Sequence, residues 1–97
     1  MVLNGSTKKY LRGLAHHLKP VVMVGKNGVT DDLISAVGEA LAGSELIKIK
    51  FLEFKNDKKI LSSEIAERTN SHVIGIIGNI AMLYRQHPDE DKRKIKV

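Results

Sequence analysis

The chain has no cysteine, no tryptophan and only four aromatic side chains, Tyr10, Phe51, Phe54 and Tyr84. Without cysteine there is neither a disulfide framework nor a thiolate metal site. So few aromatics rule out the interleaved stacking platform of an RRM-type sheet, and the core is the expected place for Phe51. No apolar run is long enough for a membrane span, and "MVLNGSTKKYLRG" turns polar too early for a charged-then-apolar leader. The expectation is a cytoplasmic protein that keeps its N-terminus.

Catalytic and cofactor signatures are missing as well. There is no G-x-x-x-x-G-K-[ST] phosphate loop, and no third glycine completes a dinucleotide fingerprint. His16 and His17 are adjacent and project differently from a helix. His72 and His87 are distant, and no H-x-x-x-H pattern joins them, so no metal is expected. Ser62 and Ser63 lack a nucleophile-elbow context and read as a solvated helix face. A non-enzymatic protein without cofactor is expected.

What is present is positive charge on a single small domain. The 97 residues carry 16 Lys and Arg against 11 Asp and Glu, a formal net charge of +5. The length allows one domain. An excess of this sign suits a polyanionic partner, though many small basic proteins bind none, so placement matters more than the total.

Residues 6–19 read as a helix, capped by Ser6 or Thr7 and stopped by Pro20. Leu11, Leu14, Ala15 and Leu18 form its apolar stripe, with Lys8, Lys9, Arg12, His16 and Lys19 on a neighbouring face. Val21–Val24 is a short strand without polar alternation, a pattern expected of a strand covered on both faces. Gly25-Lys26-Asn27-Gly28 follows. Then Thr30 is placed to cap a second helix, with Asp31 and Asp32 in its first turn and Gly43 at its end. Leu46–Phe54 alternates: Ile47, Ile49 and Phe51 point one way, Lys48 and Lys50 the other, beside Leu46, Leu52 and Phe54.

After the loop "KNDKK", with Asn56 or Asp57 as cap, Ile60, Leu61, Ile65 and Ala66 carry a weaker helix to about Arg68. "HVIGIIGNIAMLYRQ" reads as a hairpin turning at Gly78-Asn79. That turn sets Ile77 opposite Ile80, Gly75 opposite Met82 and His72 opposite Arg85. Pro88 ends the ladder, and residues 88–97 are expected to be a mobile tail, leaving a folded core of about 6–87. The fold class is thus α/β, one small domain of order α-β-α-β-α-β-β, with a mixed four-stranded sheet and helices packed on it.

The loop Gly25–Gly28 is the sharpest candidate site. On pattern alone it is a glycine-rich strand-to-helix turn. The functional alternative is a KH-type G-x-x-G loop: glycines let main-chain amides approach phosphates, and Lys26 adds a charge at the tip. Asp31 and Asp32 would partly cancel the helix end, setting a phosphate at the loop rather than on the helix axis. Basic groups also appear on the first helix (Lys8, Lys9, Arg12, His16), on the second strand (Lys48, Lys50) and at the sheet end (Arg85). Dispersed contacts of this kind give salt-dependent binding with little base specificity.

Taken together, "LRGLAHHLKPVVMVGKNGVTDDLISAVGEAL", "LIKIKF" and "IGNIAMLYR" resemble the CRM domain (chloroplast RNA splicing and ribosome maturation) in its stand-alone, YhbY-type bacterial form, from about Lys8 to Arg85. The resemblance implies an RNA-binding domain with a fold similar to the C-terminal domain of translation initiation factor three. It implies association with precursors of the large ribosomal subunit, and RNA contacts by Gly25, Lys26, Asn27 and Gly28 with nearby basic groups in support. The competing expectation is a protein-interaction module docking on a ribosomal protein or assembly factor through the face bearing Leu52 and Phe54.

Overall fold

The structure, a computed structural model, describes residues 2–97. The elements are α1 (Gly5–Ala15), β1 (Pro20–Val24), α2 (Asp31–Ser44), β2 (Leu46–Phe51), α3 (Lys58–Arg68), β3 (His72–Ile77) and β4 (Ile80–Tyr84). This is the expected order. The four strands form one sheet in the order β1-β2-β4-β3. β1 and β2 are parallel, joined through α2, while β4 is antiparallel to both β2 and β3. The hairpin's second strand therefore inserts between β2 and β3 and leaves β3 on the far edge. No helix among the described residues is long and apolar enough to cross a membrane.

Alternation along the strands divides the interior into two layers. Ile47, Ile49 and Phe51 of β2, Val24 of β1, and Ala81 and Leu83 of β4 meet Val37 and Leu41 of α2 and Ile65 and Ala66 of α3. On the other face Leu46, Ile74, Met82 and Tyr84 pack under Leu11 and Ala15 of α1. Full burial of a side chain such as Leu41 contributes about 1.5–3 kcal/mol, so these two layers carry the fold.

Helix α1 starts earlier and stops sooner than expected. Asn4, not Ser6 or Thr7, is the cap, its Oδ1 accepting from the Thr7 amide at 2.8 Å. The helix ends at Ala15 because the chain must reach an extended conformation before Pro20. The Thr30 cap stands as expected, its Oγ1 accepting from the Leu33 amide at 3.0 Å. Asp57 occupies the cap position of α3 but makes no capping hydrogen bond.

Four further expectations are corrected. β1 is an edge strand whose α1-side face is uncovered, leaving Val21 and Met23 59% and 46% exposed. β2 ends at Phe51 rather than Phe54, because Leu52 and Glu53 both donate to the Val24 carbonyl and turn the chain away. The hairpin keeps Ile77 opposite Ile80 and Gly75 opposite Met82, but a bulge at Ile74 shifts the register so that His72 faces Tyr84, not Arg85. Finally, the segment after Pro88 is tied to the body. The buried Glu45 carboxylate accepts from the amides of His87, Lys94 and Ile95. Lys94 Nζ donates to the Gly43 carbonyl, and Ile95 packs against the α1 layer.

Candidate nucleic-acid interface

Because β1 and β2 run side by side in parallel, the loops that follow them emerge at the same end of the sheet. Such an end, beyond the carboxyl ends of parallel strands, is where α/β sheets take ligands. The first of these loops closes as a tight turn, the Gly28 amide donating to the Gly25 carbonyl at 3.0 Å. Gly28 has φ +69°, the left-handed region that favours glycine, and a Cβ there would make only ordinary contact with the Phe54 ring, 3.4 Å from Cε2, so it is the backbone conformation that selects glycine. Gly25 differs: its φ is not in the left-handed region and a Cβ would meet nothing within 4 Å among the described residues. The bare backbone at Gly25 is room that the fold does not use.

Lys26 stands exposed at the tip between them and makes no ion pair among the described residues. Asp31 is drawn aside by Arg68, whose Nη2 lies 2.7 Å from its Oδ1. That pair is exposed and adds little stability, but it offsets one of the two acids at the α2 N-terminus.

Beside the loop, the α1-side face of the sheet is basic. Lys50 is exposed, with Met23 of β1 and Ile80 of β4 as its register neighbours. Lys48 lies two residues nearer α1, its ammonium donating to the carbonyls of Leu18 at 3.0 Å and His16 at 3.4 Å, where it caps the frayed end of the helix. Arg12 stretches over Gly75 and donates one Nη1 bond to the Ile74 carbonyl at 3.2 Å. His16 is exposed and stacks edge-on against His17. Lys50, Lys48 and Arg12 thus share the α1-side face, the last two with part of their donor capacity engaged in the fold, while His16 stands at the helix end that Lys48 reaches and Lys26 at the loop end of the sheet.

The remaining candidates lie elsewhere. Lys8 sits toward the β3 edge near His72, whose imidazole pKa is lowered by burial and further by the Lys8 charge. Lys9 is on the outer surface of α1, beside Tyr10 and Gly13. Arg85 is at the opposite end of the sheet, its guanidinium donating to the Thr69 carbonyl at 2.8 Å and the Gly38 carbonyl at 2.9 Å. Conversely, the loop after β2 brings Phe54, Lys55 and Lys58 to the Gly25–Gly28 end. There Lys58 Nζ donates to Asn79 Oδ1 of the hairpin at 3.4 Å. The signal was the lysine-rich "KNDKK" directly after a strand expected to lie parallel to β1. Among the described residues, no three His, Asp or Glu side chains gather to hold a metal.

This arrangement has known counterparts. The family model described as the CRS1/YhbY (CRM) domain matches residues 3–85, every strand and helix above. The chain belongs to the CRS1/YhbY family. Probable RNA-binding protein YqeI of Bacillus subtilis is 38% identical over 86 residues, covering 88% of this chain and 90% of that protein. An RNA-binding protein of Haemophilus influenzae is 38% identical over 92 residues, covering 94% and 91%. The solution structure of SAV1595 from Staphylococcus aureus, described as a candidate RNA-binding protein, superposes with a TM-score of 0.82 at 32% identity, covering 98% of this chain and all of that one. These CRS1/YhbY relatives are named for RNA binding and not for an enzymatic activity. The family match stops at residue 85, so the strap held by Glu45 lies beyond it.

Proposed function

We propose that this protein binds RNA through the Gly25–Gly28 loop and the basic face beside it, and that its ligand is ribosomal RNA in precursors of the large ribosomal subunit, whose assembly it assists in the cytoplasm. The observation that carries this reading is Gly25, a glycine that the fold does not need, next to an exposed lysine with no ion pair among the described residues, at the carboxyl ends of two parallel strands. Backbone amides and lysines recognise phosphate without reading bases, so binding is sensitive to salt. The names of the relatives support the RNA class, and the CRM resemblance supports the ribosomal destination.

The test is sedimentation of cell extract through sucrose gradients at graded salt, with wild-type protein and a Lys26→Ala, Gly25→Val double variant. Wild type is expected to travel with large-subunit precursors at low salt and to leave them as salt rises, with the variant leaving at lower salt. Equal behaviour of the two would remove the loop from the account. One observation favours a second reading, docking on a protein of the ribosome or an assembly factor. A groove of about 560 Å³ between α1 and β1 is lined by Tyr10, Leu14, Leu18 and Val21 and edged by Lys19 and Lys94. On that reading, association survives nuclease treatment.

A further inference from the structure

Phe54 belongs to neither apolar layer. It is held in the left-handed region at φ 55°, ψ 35°, a conformation costing a non-glycine residue about 1–2 kcal/mol. The amides of Leu52 and Glu53 both donate to the Val24 carbonyl, at 2.9 and 3.2 Å, and the Phe54 carbonyl accepts from Asp57 at 2.9 Å. These bonds turn the side chain out of the line of β2 and set its ring against Gly28. A Cβ on that glycine would lie 3.4 to 4.0 Å from three consecutive ring atoms. The residue remains 42% exposed. A strained, partly exposed aromatic that fills neither layer and leans on the second glycine of a candidate phosphate loop is the kind of outlier that clusters at ligand sites.

The charges around the ring indicate what part of a ligand belongs there. The hollow at Phe54 is lined by Glu53 and Asp57 as well as Lys55. Two carboxylates make it a poor seat for a phosphate. They are compatible with a neutral base, whose amino and imino groups are donors. The Gly28 amide donates to the Gly25 carbonyl at 3.0 Å, so the turn that carries Lys26 and the bare Gly25 backbone closes on the same glycine that the ring touches.

We propose that Phe54 is a stacking platform for an unpaired base of the same RNA whose phosphate the Gly25–Gly28 loop holds, so that the ligand is single-stranded or looped-out RNA rather than continuous duplex. This rests on the RNA-binding reading above and narrows it. Bases inside a duplex already stack on both sides and cannot offer a face to the ring, whereas unpaired bases stack on aromatic side chains whatever their identity.

The test uses the full chain and two probes: a short, fluorescently labelled single-stranded RNA of mixed sequence, and a blunt duplex of the same sequence. Binding is read by anisotropy for wild type, Phe54→Leu, Phe54→Trp and Lys26→Ala, with circular dichroism to establish folding. Phe54→Leu keeps apolar bulk but has no π face. It is expected to weaken single-strand binding about 5- to 150-fold, the equivalent of one lost stack. Phe54→Trp retains affinity, and duplex binding is unchanged by either. Phe54→Leu binding the single strand as tightly as wild type, or losing both probes equally, would overturn the stacking proposal while a weakened Lys26→Ala leaves the RNA reading standing. Wild type binding neither probe overturns both.

Discussion

Glu45 and His87 are 42 residues apart in sequence and joined by a single hydrogen bond, the Glu45 Oε2 accepting from the His87 amide at 2.8 Å. The other oxygen, Oε1, accepts from the amides of Lys94 and Ile95. One carboxylate, 1% exposed, thus ties residues 86–95 across the end of α2. Burial pushes the Glu45 carboxyl upward, but the three backbone amides, aided by the His87 charge, outweigh it and hold the group below the ordinary value of 4.5.

A lowered folded pKa means that Glu45 contributes stability above pH 4.5 and loses it as pH falls through the folded value. Glu45→Gln is expected to destabilise the protein by about 1.5–3 kcal/mol near neutral pH, since it removes hydrogen bonds to a charged acceptor. The gap between variant and wild type should close as pH drops below that point. Urea titrations from pH 7 downward measure it. A gap that stays constant with pH would remove the carboxylate's charge from the explanation.

Arg12 and Gly75 give a second prediction. A Cβ on Gly75 would lie 2.9 Å from Arg12 Cδ and 3.1 Å from Met82 Cε. Gly75→Ala must therefore displace the arginine and break its bond to Ile74. The expected cost is about 1 kcal/mol or somewhat more, as for mild overpacking. It is read as a lower urea midpoint with an unchanged slope. If Gly75 only eased backbone entropy in β3, alanine would stabilise instead.

These cases mark where the sequence was legible. The alternation of Ile47, Ile49 and Phe51 against Lys48 and Lys50, the Thr30 cap and the turn at Gly78 are local patterns, and the structure follows them. The bulge at Ile74 is not local, because it depends on which strand lies beside β3 and what α1 presses onto it. The exposure of Val21 and Met23 depends on strand order, which composition does not encode. Glu45 reads as one more helical acid until the tail arrives to meet it. At the candidate site, the loop was visible as a motif. The ring of Phe54 was not, since its meeting with Gly28 exists only once β1 and β2 are paired.

Tyr84 carries a third prediction. Its hydroxyl is buried without a hydrogen-bond partner among the described residues. Burial, and then the nearby Glu45 charge, push its phenol pKa up. An unpartnered buried hydroxyl is a liability, so Tyr84→Phe is expected to leave stability unchanged or raise it by up to about 1 kcal/mol. Thermal denaturation of the two proteins compares them directly. A fall of more than that would show that the hydroxyl has a partner.

Lys26 and Arg85 separate the chemistry of binding from that of folding. Both are cations expected to contact RNA, Lys26 as the tip of the Gly25–Gly28 loop and Arg85 as a basic group at the sheet end. The structure leaves Lys26 exposed with no ion pair among the described residues, whereas the Arg85 guanidinium bridges the Thr69 and Gly38 carbonyls. Arg85→Ala is expected to cost about 1.5–3 kcal/mol of stability, because two carbonyls lose a charged donor. The salt dependence of RNA binding should not change. Lys26→Ala should do the reverse, leaving the urea midpoint in place and flattening the slope of log affinity against log salt by about 0.7 for a single strand. Each variant is the control for the other: a flattened slope in Arg85→Ala would mean that its guanidinium leaves the two carbonyls for phosphate when RNA is bound. An unaltered slope in Lys26→Ala would mean that phosphate never sits at the loop, and the glycine at position 25 would then need another explanation.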